Sequence, residues 1–421
     1  MNFNKKEISW AFYDWANSSF ATTVMAGFFP LFFKSYFSAG LEPEKSTFVL
    51  GLSNSLGFLL MALMAPIIGA IADSRSCRKK FLFFFTLVAA SSILGLSFLG
   101  KGDWRLASLF YIISIFGFSG GNVFYDSLLV YSTSEKNLNN ASALGYSLGY
   151  LGGGILFSLN VVMVLNPQWF FLESPEQAVK VSFAMVSIWW IVFALPLMFN
   201  VTEPGEKVSV SYLTTLKSGI GQFFGTLKKI RSLKVIFLFL LAYWFYIDAV
   251  DTIIVMAVDF GLSIGLDSDD LLKALLITQF IGFPATLVYG KIGDKFGPKA
   301  GIYFTLLVYI IVCIGAYFMK SATGFYILAI TIGLVQGGVQ SLSRSLYAQL
   351  IPKDMASEFF GFYNMLGKFA AVLGPFLMGS IALMTKNNRL SMVGLIFLFV
   401  LGGILLSFVD LKEGKKFKEQ I

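Results

Sequence analysis

The sequence predicts an all-α polytopic membrane protein, with twelve transmembrane helices forming two pseudo-symmetric six-helix bundles. Three observations carry that prediction. The 421-residue chain is 56% hydrophobic and only 13% charged, which leaves too little polar surface to cover a water-soluble globule. Apolar windows of about 20 residues, enough helix to cross roughly 30 Å of hydrocarbon, recur twelve times. A short charged signature also occurs once per half, as GAIADSRSCRKK from Gly69 and GKIGDKFGPKAG from Gly290. Each copy follows the second window of its half and precedes the third.

In order, the windows fall near residues 9–35, 48–72, 81–100, 106–132, 141–165 and 179–200, then 234–260, 271–290, 299–319, 323–350, 357–384 and 390–410. The first follows Lys5 and Lys6 directly, is too long for a signal-peptide core and lacks an A-x-A site, so it reads as its own insertion signal. VMA at Val24 in span one repeats at Val255 in span seven. GGNVFYDS at Gly120 in span four matches GGVQSLSRS at Gly337 in span ten, and Ala141-Ser142 opens span five as Ala356-Ser357 opens span eleven. Span five carries Gly145, Gly149, Gly152, Gly153 and Gly154, a small face that lets helices approach closely. Pro30, Pro66, Pro196, Pro284 and Pro375 interrupt backbone hydrogen bonding within or near span ends. Connections are short except for 201–233, so the expected units are a bundle over 1–200, a cytoplasmic linker over 201–233 and a bundle over 234–421. Within the linker Leu213, Leu216, Ile220, Phe223, Leu227 and Ile230 recur at helical spacing, the pattern of an interfacial amphipathic helix held by anionic headgroups.

The net charge of +8 follows topology. Of 32 Lys and Arg, 21 lie at the termini and in even-to-odd loops, 9 in the opposite loops and 2 inside spans. That bias places both termini in the cytoplasm, and it leaves no basic patch for nucleic acid. Cys77 and Cys313 cannot build a disulfide framework, and histidine is absent. No metal, cofactor or hydrolytic site is expected, the chain does not read as an enzyme, and any proton transfer must use carboxylates. Compactness and the lack of a targeting signal favour a bacterial cytoplasmic membrane.

Six charges fall inside spans away from their ends: Asp14, Asp126, Asp248, Asp251, Arg344 and Lys368. Each costs roughly 2.5–3.5 kcal/mol at a helix centre, so such residues face a cavity or one another. Asp14 with Ser18, Asn122 with Asp126, Gln336 with Gln340 and Arg344, and Asn364 with Lys368 are spaced by four, which stacks them on single helix faces. These stripes read as the walls of a polar cavity, or alternatively as hydrogen-bonding seams between helices. Four carboxylates against two cations leave at least two acids without a cationic partner, and burial penalises their charge until they take up a proton. Asp248 and Asp251, three apart on span seven, are expected to titrate as a coupled pair and carry the coupling proton, with Asp126 and Asp14 as further acids. The alternative is that one of the pair simply binds Lys368 or Arg344. Lys368, near mid-membrane, is expected to bind an anionic substrate group, and Arg344 to contact substrate or to gate through Asp126 or Asp14. Asn364, Gln340, Gln336, Asn17, Trp244 and Tyr150 complete the expected substrate-binding set, although mid-membrane aromatics are also ordinary packing.

Twelve spans in two halves, with GxxxD and basic residues in both central loops, resemble the major facilitator superfamily. Gly290, Asp294, Lys295, Gly297 and Lys299 fit its loop signature closely. The first copy keeps Gly69, Asp73, Arg78 and Lys79 but has Ser76 where the family has glycine, so that loop is expected to turn differently. More narrowly, AFYDWANSSFATTV from Ala11, GGVQSLSRSLYAQLIP from Gly337 and FGFYNMLGKFAAVLGP from Phe360 look like the subfamily of fungal vacuolar, autophagy-related amino-acid effluxers and their bacterial relatives. The resemblance implies the major facilitator fold, a central cavity lined by the first, fourth, seventh and tenth helices, and amino acids as substrates. It also implies a conformational switch at Gly69, Asp73, Arg78, Gly290, Asp294, Lys295 and Gly297. Asp73 and Asp294 lie just past a helix end, where a carboxylate can cap a neighbouring helix or pair with the basic residues that follow. A contact made in only one access state biases the alternation. The expected function is therefore secondary active transport of an amino acid or other small carboxylate, coupled to protons, by a monomer in the lipid bilayer. Efflux of an amphiphile or drug is the second reading, and a non-transporting receptor or lipid-handling protein the third.

Overall fold

A computed structural model describes residues 3–203, 234–370, 373–412 and 414. The amphipathic helix expected in the linker lies outside the described residues, as does the side chain of Lys368. The described chain forms twelve helical elements. α1 runs through 5–37, with Lys5–Ser19 and Phe29–Phe32 α-helical and Phe20–Phe28 and Phe33–Phe37 wound as wider π-type turns. Then come α2 (Pro43–Arg75), α3 (Arg78–Leu96), α4 (Trp104–Ser132), α5 (Leu138–Leu165) and α6 (Pro175–Asn200). The second half holds α7 (Lys234–Ser263), α8 (Ser268–Phe296), α9 (Pro298–Phe318) and α10 (Ala322–Leu350). α11 comprises Ala356–Ala370 and Leu373–Thr385, and α12 comprises Asn388–Gly394 and Ile396–Ser407. Among the described residues ten helices are long and apolar enough to cross a membrane, and α1 and α11 supply two further helical runs.

Local chemistry sets the helix ends. Asn4 and Glu7 close a reciprocal capping box at the start of α1, satisfying two backbone donors that a helix start leaves open. Ser174 and Ser321 cap α6 and α10. Ser76 ends α2 in the left-handed region at φ 46° and ψ 51°, while Gly297 ends α8 at φ 84° and ψ 148°. The two signature loops therefore do turn differently: serine tolerates its conformation at some cost, and the one after α8 is open only to glycine. Large apolar side chains such as Leu31, Phe84, Phe199, Phe304 and Phe397 lie exposed around the outside, which suits lipid and not water.

Within the first six helices α1 packs on α5 and α6, α3 on α4 and α6, and α2 on α4; in the last six, α10 packs on α8 and α9, and α7 on α12. The two sets meet through α2 with α11, α5 with α8 and α10, and α4 with α11. The α2 contact on α11 runs along Ala356–Ala370, toward the end that the charge bias assigns to the cytoplasm, called the inner end below. Two signature glycines make these crossings possible. A Cβ on Gly69 would sit 2.4 Å from the carbonyl oxygen of Ser357, and one on Gly290 would sit 2.9 Å from Oδ1 of Asn140.

Candidate functional site

Arg344 occupies the middle of the contact between the halves. It comes from α10, is 1% exposed, and its guanidinium lies between Asp14 of α1 and Asp126 of α4. Nη1 reaches Asp126 Oδ1 at 3.1 Å and Asp14 Oδ2 at 3.4 Å, and Nη2 also reaches Asp14 Oδ2 at 3.4 Å. Nε donates to Ser142 Oγ at 3.0 Å and Nη2 to the Ser142 carbonyl at 2.9 Å. A guanidinium has five N–H donors, and these five contacts use all of them. The rings of Tyr146, Trp10 and Tyr125 lie 4.1, 4.9 and 5.2 Å from the guanidinium carbon, so cation–π contact replaces water around the charge. Tyr125 donates to Asp14 Oδ2 at 2.8 Å, and Asn364 of α11 donates to Asp126 Oδ2 at 2.9 Å. Gly145 leaves the room: a Cβ there would come within 3 Å of Tyr125, Asp14 and Arg344.

At the inner end the two signature loops each grip the opposite half. Asp73 accepts backbone N–H groups of Ser357 (3.1 Å) and Glu358 (2.8 Å) at the start of α11, the end of a helix where N–H groups lack intrahelical partners and a negative charge is favoured. Its Oδ1 also meets Arg78 Nη2 at 2.7 Å. Arg78 extends across the same gap, donating to Ser357 Oγ at 3.1 Å and the Asp354 carbonyl at 3.2 Å. Glu203, just past α6, accepts the backbone N–H groups of Arg78 and Lys79 and pairs with the Arg78 guanidinium. Burial and that carboxylate push the Cys77 thiol up, so the turn holds a neutral thiol. In the second grip, Asp294 accepts from Asn139 (3.0 Å) and Asn140 at the start of α5. Asn139 Oδ1 in turn accepts from Ser345 and Gln349 of α10. Gly69, Asp73, Arg78, Gly290 and Asp294 are thus brought to the seam. Lys295 is exposed beside Phe296, and Gly297 forms the turn itself. Both grips join the two halves at this end.

The other expected site residues part company. Asn17 is 2% exposed and donates to Asn122 within the first half at 2.6 Å, so in this state it faces a neighbouring helix and not a solute. Tyr150 donates to Gln340 Oε1 at 3.1 Å, and its ring presses on Gly282 and Gly337; it is a knob joining the halves. Trp244 is half-buried, stacked obliquely on Phe245, and its indole N–H has no partner among the described residues. Gln336 borders an apolar chamber between α7, α8, α9 and α10. Asp248 is fully buried, with the backbone N–H of Gly374 in α11 turned to its carboxylate. Thr252, one turn on, has a buried hydroxyl that closes no hydrogen bond among the described residues. Asp251 is half-buried.

Sequence reasoning did not single out Ser142, Ser357, Glu203, Asn139 or Tyr125. One signal was present: Ala141-Ser142 and Ala356-Ser357 are the repeated helix starts, and both serines receive an arginine from the opposite half.

Comparison with known proteins agrees with this architecture. The family described as "Vacuole effluxer Atg22 like" matches residues 38–419. The "Uncharacterized MFS-type transporter YxiO" of Bacillus subtilis is 41% identical, over 97% of this chain and 95% of that protein. "Autophagy-related protein 22" of Saccharomyces cerevisiae is 26% identical, over 87% of this chain and 79% of that one. Among solved structures, the proton:xylose symporter XylE superposes with a TM-score of 0.72 at 12% identity, covering 98% of this chain and 97% of that one. FucP in its outward conformation gives 0.73 at 12% identity, covering 96% and 98%. At such identity these two speak for the fold alone. The chain is thus a multi-pass integral membrane protein that belongs to the Atg22-like family of major facilitator transporters.

Proposed function

We propose that this transporter carries a small solute bearing a carboxylate, an amino acid or a related acid, by alternating access coupled to protons. The rocking units in this reading are residues 1–200 and 234–421, joined by 201–233, in a monomer with both termini in the cytoplasm of a bacterial cell. The observation that carries it is the Asp14–Arg344–Asp126 cluster, with every guanidinium N–H used across the two halves. Opening the inner end separates α10 from α1 and α4, and that exposes two carboxylates and a cation to new partners at mid-membrane. Ion pairs that must break in each cycle are where protons and charged solutes compete.

Asp248 supports proton coupling. A fully buried carboxylate is costly to keep charged, so Asp248 is assigned the coupling proton in this reading. Asp251, one turn away, completes the acidic pair. Lys368 is assigned to the substrate's anionic group, since Arg344 is fully engaged. Proton-driven uptake and solute exchange, measured in proteoliposomes, test this. Asp248→Asn and Asp251→Asn should keep exchange and lose pH-driven accumulation, and Lys368→Ala should weaken solute binding. Wild-type accumulation in both asparagine variants contradicts the coupling assignment.

A further inference from the structure

The mechanism above makes no use of the apolar chamber in the second half. Its walls come from α7, α8, α9 and α10, through side chains such as Ile253, Ala274, Phe325, Ala329 and Ile332, with Gln336 at one edge. Thr278 is the other polar side chain in the wall, and its hydroxyl is turned to the carbonyls of Ala274 (2.9 Å) and Ala329 (3.2 Å). Gln336 is therefore the side chain left to hydrogen-bond a guest. A space with so little polar lining stays dry and accepts apolar guests.

The mouth of the chamber can be located. Gln336 and Gln340 are four apart and share a face of α10. Gln340 holds Tyr150 of the first half, so that face is the one turned to the opposite bundle. Gln336 lies one turn further from the inner end, where α10 still faces the other half, and it edges the chamber. The Gln336 edge of the chamber is thus turned toward the opposite bundle.

We infer that this chamber is the specificity subsite for an apolar tail on the transported solute, whose polar head stays at the level of Gln336. The inference rests on the carrier reading above and narrows its substrate to amphipathic acids or amino acids whose side chain extends well beyond a methyl group. Small hydrophilic acids gain nothing from the chamber and are poor substrates.

Calorimetric binding to the purified full-length protein tests it with two series that differ by one methylene at a time. One runs from 2-aminobutyrate through norvaline and norleucine to 2-aminoheptanoate, the other from butyrate to heptanoate. Affinity should rise about fourfold per methylene in at least one series, and Ala329→Phe or Ala274→Phe, which fill the chamber, should flatten that rise. A flat dependence in the wild type overturns the inference without needing any variant. An equally steep rise in the filled variants also overturns it, because the tail is then buried elsewhere or in detergent. If no member of either series binds, the subsite assignment fails; exchange of some other solute in proteoliposomes would leave the carrier reading standing.

Discussion

Arg344 is the residue on which the two halves agree. Burying a guanidinium at mid-membrane is tolerable because two carboxylates, a serine hydroxyl, a carbonyl and three aromatic faces surround it. Lysine cannot replace it, since an ammonium has three donors and no planar fork. Arg344→Lys should fold and lose about tenfold or more in transport, the factor that corresponds to about 1.4 kcal/mol. Arg344→Leu strands two buried acids and should cost about 3–5 kcal/mol of stability, read as a lowered unfolding temperature in detergent. Adding Asp14→Asn and Asp126→Asn to Arg344→Leu should recover most of that loss; no recovery would mean the cluster is not a closed electrostatic unit. Much of this was legible in the sequence as an unusual charge in an apolar span with acids at repeat-related positions. The two acids offered as alternatives, Asp126 and Asp14, are both met; that they share one guanidinium was not legible, because helix spacing fixes a face but not the helix opposite. Ser142 was marked only as part of a repeated helix start, and Tyr125, an ordinary residue in an ordinary helical position, carried no signal.

At the scale of helices, the repeated loops build unequal grips. The Asp73 side chain is 3% exposed and takes two backbone N–H groups and an arginine, whereas Asp294 is an exposed residue and takes two asparagine amides. Charged hydrogen bonds in a buried site are worth about 1.5–3 kcal/mol each, and exposed ones much less. Asp73→Asn should therefore shift the population toward the inward-open form far more than Asp294→Asn, as read from spin-label distances across the inner end. A larger shift for Asp294→Asn, or none for either variant, contradicts this ranking. The sequence offered two partners for such a carboxylate, a neighbouring helix start or the basic residues that follow, and Asp73 takes both; that the helix belongs to the other half was not legible. The inequality could not be read there. It comes from Glu203 and Ser357 buttressing Arg78, while Lys299, the repeat counterpart of Arg78, caps the carbonyls of Ser407 and Val409 in its own half.

For the whole molecule, hydropathy and the duplicated loop were enough to give twelve helices and their order, because lipid leaves a chain few ways to satisfy its backbone. Helix limits shifted by a few residues, mostly outward into polar caps that hydropathy does not see. The walls of the site were less legible. Asn17 and Tyr150 read as cavity residues on polarity and turned out to be seams between helices, since a buried polar side chain satisfies its hydrogen bonds wherever a partner is nearest. The apolar chamber left no trace in the sequence, as nothing distinguishes a leucine that packs from one that lines a void. The central claim, a proton-coupled carrier of small acids, is tested most directly in proteoliposomes of the full-length protein. Uptake of a labelled panel of amino acids and organic acids is measured with and without an imposed pH gradient. The account predicts that at least one amphipathic member accumulates above its equilibrium level only when the gradient is present, and exchanges without it. Exchange and accumulation of none of the panel, or accumulation indifferent to the gradient, would contradict it.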